Sequence, residues 1–109
     1  MHALPPRHVY SALVKNTAGR ALHVRVHYDM PKGASEAMEF EVVAGAEIHV
    51  PQKTIAEGTM VLTGHISRIE VIENGAPVVA ASAPFNVGSP TKDYRITLAE
   101  SETGLHINH

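Results

Sequence analysis

Histidine is the residue type best placed to do chemistry in this chain, with eight in 109 residues. His23 and His27 form a His-x-x-x-His pair, which on a helix would set two imidazoles side by side over one metal ion. Their neighbours exclude the helix. Leu22, Val24, Val26 and Tyr28 alternate strictly with His23, Arg25 and His27, the period of a strand with one buried and one wet face. On a strand the two histidines lie about 13 Å apart, four residues at roughly 3.4 Å each. Metal–nitrogen bonds are about 2 Å long, so the pair cannot chelate one ion. The other six, His2, His8, His49, His65, His106 and His109, fall near the chain ends or near strand ends. A zinc or copper site would need three or more of them gathered from different strands and held by supporting hydrogen bonds. No spacing encodes such a site, and no metal ligand is assigned. His27 is read as a surface histidine beside a carboxylate rather than as a pH sensor.

Other chemistry has less support. Asp29 and Asp93 are the only aspartates, too few and too far apart for the carboxylate-lined loops of a calcium module. Glu70 and Glu73 fall on opposite faces of one expected strand and make no general acid/base pair. There is no Gly-x-Ser-x-Gly and no phosphate-cradling glycine loop. Ser89-Pro90-Thr91-Lys92 matches Ser-x-x-Lys, a serine hydrolase motif, without its companions and in a loop. It also has the form of a proline-directed phosphorylation site, a match frequent by chance. A Ser–His–acid triad stays open, because triads assemble from distant positions. No catalytic or cofactor-binding residue and no cofactor is assigned, and the chain is read as non-enzymatic.

Composition narrows the partners. Lys plus Arg total 9 and Asp plus Glu total 11, a formal charge of −2, against a nucleic-acid binder, which carries a basic excess. Tyr10, Tyr28, Tyr94, Phe40 and Phe85 are the only aromatic rings apart from histidine, too few for stacking platforms, and most of them fall on apolar faces and are read as core. Arg7, Lys15, Arg20, Arg25 and Lys32 come early, and Glu36, Glu39, Glu41 and Glu47 follow. Neighbouring strands with complementary outer faces are the expected reason for that order, and a basic docking patch is the alternative. The chain has no cysteine, which removes disulfides, thiolate metal sites and thiol nucleophiles. The start has no apolar signal core, and no stretch nears the roughly 18 apolar residues of a membrane span. The expectation is a cytoplasmic protein, with a previously removed signal left open.

The strands that must position these groups follow from alternation and turn chemistry. They are expected at about His8–Lys15, Leu22–Tyr28, Met38–Val42, Glu47–Val50, Thr59–Thr63, Ser67–Ile72, Val78–Ser82, Tyr94–Leu98 and Leu105–Ile107. Gln52–Gly58 reads as one helical turn. Asn74-Gly75 between apolar runs is the strongest hairpin signal, since a type I′ turn needs positive φ at both central residues. It sets Glu73 against Ala76, Ile72 against Pro77, Val71 against Val78 and Ile69 against Ala80. Pro77 has no N–H, so its strand is expected to be an edge, or to bulge, at its start. Pairing the second and third strands on their apolar faces suggests Val26–Phe40, Val24–Val42 and Tyr28–Met38, with Arg25–Glu41 and His27–Glu39 outside.

Short strands with short connections imply mainly antiparallel pairing. The expected fold is all-β, a two-sheet antiparallel sandwich of immunoglobulin-like architecture with seven to nine strands. A small antiparallel barrel is the alternative. Residues 8–109 form one domain behind a flexible arm, 1–7. The expected function is a protein-interaction module with an unknown protein partner, acting by edge-strand addition or through loops, with a homodimer through an edge strand open. No nucleic acid and no membrane span is expected. The alternatives are a histidine-based zinc or copper protein and a protease inhibitor presenting the segments at 51–58 and 84–93.

Overall fold

Leu22, Val24, Val26 and Tyr28 are all inside, with almost no exposed surface, and the alternating strand of the sequence becomes β2 (Leu22–Asp29). The structure is a computed structural model and describes residues 6–109. The other strands are β1 (Ala12–Asn16), β3 (Ser35–Val42), β4 (Glu47–Val50), β5 (Thr54–Glu57), β6 (Met60–Thr63), β7 (His65–Glu73), β8 (Ala76–Ser82), β9 (Tyr94–Ser101) and β10 (Gly104–Asn108). One sheet runs β10-β9-β1-β4 and a second β3-β2-β7-β8, while β5 and β6 form a separate hairpin. The two four-stranded sheets pack face to face as a sandwich, and the barrel alternative does not hold. Val14, Val50, Ile96 and Leu98 from one sheet and Val24, Val26, Tyr28, Val42, Ile69 and Val71 from the other fill the space between them. Among the described strands, pairing is antiparallel except between β1 and β9, which run parallel with Ala12 beside Tyr94 and Val14 beside Ile96, and the isolated bridge of Val9 with Thr91 before them is parallel too. Parallel neighbours need a long connection, and here nearly the whole domain serves as that connection.

Two registers differ from those expected. Val24 lies opposite Phe40, Val26 opposite Met38, Leu22 opposite Val42 and Arg25 opposite Glu39, an offset of two residues. The buried face fixes only the parity of a register. The turn fixes its offset. Met30 N–H donates to Ala34 O at 2.8 Å, and Lys32 (φ 68°) and Gly33 (φ 79°) take left-handed conformations. That closure brings Asp29 opposite Ser35.

At the β7–β8 hairpin, Asn74 (φ 52°) and Gly75 (φ 77°) form the expected turn, with Glu73 opposite Ala76 and Ile72 opposite Pro77. Beyond Pro77 the strand bulges. Val78 is extra, so Val71 faces Val79 and Ile69 faces Ala81, not Val78 and Ala80. β8 is an edge strand, as the missing Pro77 donor demands.

The helical turn expected at Gln52–Gly58 is absent. β5 occupies it, pairing Ile55 with Leu62 and Glu57 with Met60, which raises the strand count among the described residues to ten. Gly58, at φ 60°, opens a two-residue Gly-Thr turn of the kind that favours a hairpin. Pro31–Gly33 is a tight turn rather than a helix, since Lys32 and Gly33 are both left-handed. Of the rings expected in the core, Tyr28 and Phe85 are buried, whereas Tyr10, Phe40 and Tyr94 are half-buried. The arm expected at residues 1–7 falls mainly on residues outside those described.

Asn16, at the end of β1, is buried and fully bonded. Its Nδ2 donates to Arg20 O and Val42 O, each at 2.8 Å, and its Oδ1 accepts from Ala18 N–H at 2.8 Å. One amide thus holds the β1–β2 turn against the end of β3.

Candidate interaction site

The β5–β6 hairpin lies outside both sheets and carries the most exposed large apolar residues of the described chain, Met60 at 61% and Val61 at 67%. Ile55 and Leu62 on one face are half-buried and Ile55 packs on the core, while Ala56 and Val61 on the other face point to solvent. The β5 side is engaged. Lys53 Nζ lies 3.4 Å from Glu36 Oε2, and Lys32 pairs with Glu57. Tyr28, whose phenol burial pushes up to about 12, donates its O–H to Pro51 O at 2.7 Å. Lys53 Nζ sits 5.7 Å from the centre of that ring. These contacts set β5 beside the β2–β3 turn and leave β6 on the outside.

The main chain of β6 completes the arrangement. In a hairpin with a two-residue loop the closing pair, here Glu57 and Met60, is hydrogen-bonded and the next pair is not. Val61 opposite Ala56 is that next pair. Its N–H and C=O therefore point away from β5, along the open edge.

Proteins guard such edges with charge, proline, bulges or cover. The edge β3 carries Glu36, Glu39 and Glu41; β4 carries Glu47 and His49 and runs into Pro51. The edge β8 has Pro77 and a bulge at Val78, and β10 lies against β8 across the side of the sandwich. β6, Met-Val-Leu-Thr, has none of these.

The histidines disperse among separate partners. His23 Nε2 is 2.8 Å from Glu39 Oε1, which Arg25 also bonds at 3.2 Å. These two contacts, His23 foremost, hold the Glu39 carboxyl below the usual carboxylate range. His27 bonds Glu70 rather than Glu39, and Arg68 Nε reaches the same carboxylate at 3.0 Å. The His27 bond first, and Arg68 after it, lower the Glu70 pKa against the opposing effect of burial. The acidic neighbour of His27 is thus on β7, not β3.

His65 stacks on His8 with ring centres 3.8 Å apart, and its Nε2 is 3.6 Å from Asp29 Oδ2. Burial chiefly, and His8 in addition, lower the His65 pKa, which Asp29 partly opposes. His106 contacts Ser101 and Thr103, and His109 Nδ1 is 3.0 Å from Tyr94 Oη. His2 lies outside the described residues. Among those described, no three His, Asp or Glu side chains are disposed to hold one metal ion.

Ser11, Asp93 and His49 do come together, but in an order that cannot relay a proton to serine. Asp93 Oδ1 sits between them, accepting from Ser11 Oγ at 3.2 Å and lying 2.9 Å from His49 Nε2. Ser11 is buried, and Asp93 N–H donates back to its Oγ at 2.8 Å. Ser89 and Lys92 lie exposed in the loop before β9, not at a helix start. Glu70 bonds His27 and Arg68, and Glu73 pairs with Arg20, so these two acids act separately.

Sequence reasoning placed a strand at Thr59–Thr63 without marking it as a site. The available signal was an uncharged run bounded by Gly58 and Gly64. Comparison of the chain with protein-family models, with curated proteins and with solved structures finds no match in any of the three.

Proposed function

We propose that this sandwich, of immunoglobulin-like architecture in the broad sense of two antiparallel sheets face to face, is a protein-interaction module that binds by strand addition along β6. The observation behind this reading is the unguarded edge: Val61 directs its main-chain N–H and C=O outward on a strand without charge, proline or bulge. Main-chain bonds to an added strand supply affinity, and side chains at alternate positions supply selectivity.

Val61→Pro tests it. Proline removes the outward N–H and no bond internal to the hairpin. Proteins captured from native extract by the wild-type chain should be captured at least about tenfold less by Val61→Pro, a loss of roughly 1.4 kcal/mol or more. A variant that melts like the wild type and captures the same proteins equally well refutes the reading.

A further inference from the structure

We propose that the strand added to β6 is β6 of a second copy of this chain, paired antiparallel about a twofold axis through Val61. The inference rests on the edge reading above and names its occupant.

Residues 58–64 read Gly-Thr-Met-Val-Leu-Thr-Gly, which has the same chemistry in both directions. Antiparallel pairing centred on Val61 sets Val61 against its own copy, Met60 against Leu62, Thr59 against Thr63 and Gly58 against Gly64. Apolar meets apolar, hydroxyl meets hydroxyl, and no charge opposes another. A twofold interface must be self-complementary in this sense, each residue meeting its counterpart in the reverse order.

The main chain fits the same axis. The outward N–H and C=O of Val61 make it a hydrogen-bonding position for an added strand. Two copies exchange both bonds across the twofold, with Cα atoms about 5.5 Å apart. Side chains then fall on matching faces. Ala56 and Val61 of both copies line up in one apolar row on the face that is exposed in the single chain. The charged groups near the hairpin are already used on the β5 side, Glu57 with Lys32 and Glu36 with Lys53, so they do not oppose the approach of a like-charged copy. The strand has only four residues, so the interface lies at the small, transient end of the range and the dimer is weak and concentration-dependent.

Sedimentation equilibrium of the full chain, from micromolar to millimolar concentration, reads this directly. The wild type should pass from monomer to dimer. Val61→Lys and Val61→Glu, each setting like charges face to face, should weaken association by about tenfold or more, and an equimolar mixture of the two should restore it. A third variant uses the absence of cysteine. Oxidised with glutathione disulfide, Val61→Cys should give a disulfide-linked dimer, because the expected Cα separation suits that bond. Val43→Cys, at an exposed site outside β6, should link at least about tenfold more slowly. The charged and cysteine variants alter an exposed side chain, and unchanged melting confirms that each is folded. A chain that stays monomeric at millimolar concentration overturns the second copy as occupant. So does a dimer indifferent to all three Val61 variants. In either case the strand-addition reading stands or falls separately, on the capture comparison with Val61→Pro.

Discussion

His65 is held by three things at once: the ring of His8 against its face, the Asp29 carboxylate near its edge, and partial burial. Burial and His8 lower its folded pKa, so between that value and the unfolded value of about 6.5 the unfolded chain binds more protons than the folded one. Stability therefore rises with pH across that window. The penalty is complete below the folded pKa and gone above the unfolded one. His65→Phe keeps a ring to stack and removes the titration, and calorimetric melting temperatures should rise less steeply with pH in this variant than in the wild type. An unchanged slope would show that other groups set it. None of this was legible in the sequence, where His8 and His65 are far apart and nothing in either position announces the other. Arg25 opposite Glu39 was partly legible, since basic and acidic strands had to meet, but the individual partners depended on the offset.

At the scale of elements, the sequence carried the strands and their buried faces well and the offsets badly. Alternation is a local property, and Leu22–Asp29 displays it in full. An offset depends on how many residues the turn consumes, as the Met30–Ala34 closure did. The bulge at Val78 was foreshadowed by Pro77, yet its effect on Val71 and Ile69 could be counted only once the extra residue was placed. β5 was missed because its four residues are bounded by no strong apolar alternation and gain their strand from β6. The Asn74-Gly75 turn gives the sharpest test at this scale. A Cβ on Gly75 meets nothing within 4 Å, and φ is +77°, so Gly75→Val acts through the backbone alone. A β-branched residue at positive φ is strained, and the variant should lose more than about 1 kcal/mol in denaturant unfolding. A neutral result would refute the type I′ assignment.

For the whole molecule, Arg20 joins the two sheets at one end. Leaving the β1–β2 turn, it bonds Glu73 at the end of β7 and Glu100 on β9, and this contact holds the Glu100 carboxyl below the usual carboxylate range. All three side chains are substantially exposed, where salt screens such pairs. The melting temperature should therefore fall as salt is raised from low concentration, and Arg20→Met should show less of that fall. Equal salt dependence in both proteins would mean that the bridge contributes nothing measurable. The sandwich was legible from composition and strand spacing. The face-to-face arrangement that brings Glu73 and Glu100 to one arginine was not, because it belongs to the packing of two sheets rather than to any one strand.

The parallel pairing of β1 with β9 also governs when the fold can form. During synthesis β1 emerges early, but the strand that covers one of its edges emerges only after β8. The β3-β2-β7-β8 sheet has all its strands by Ser82, whereas the β10-β9-β1-β4 sheet lacks two of its four until Tyr94 and beyond. Ala12 and Val14, fully enclosed in the finished domain, remain without their β9 neighbours until the chain has been made past β8. Pairing across so much chain closes a large loop and is slow. Nascent chains arrested before β9 should therefore offer a strand edge and apolar surface to chaperones, and lose that affinity once the last two strands arrive.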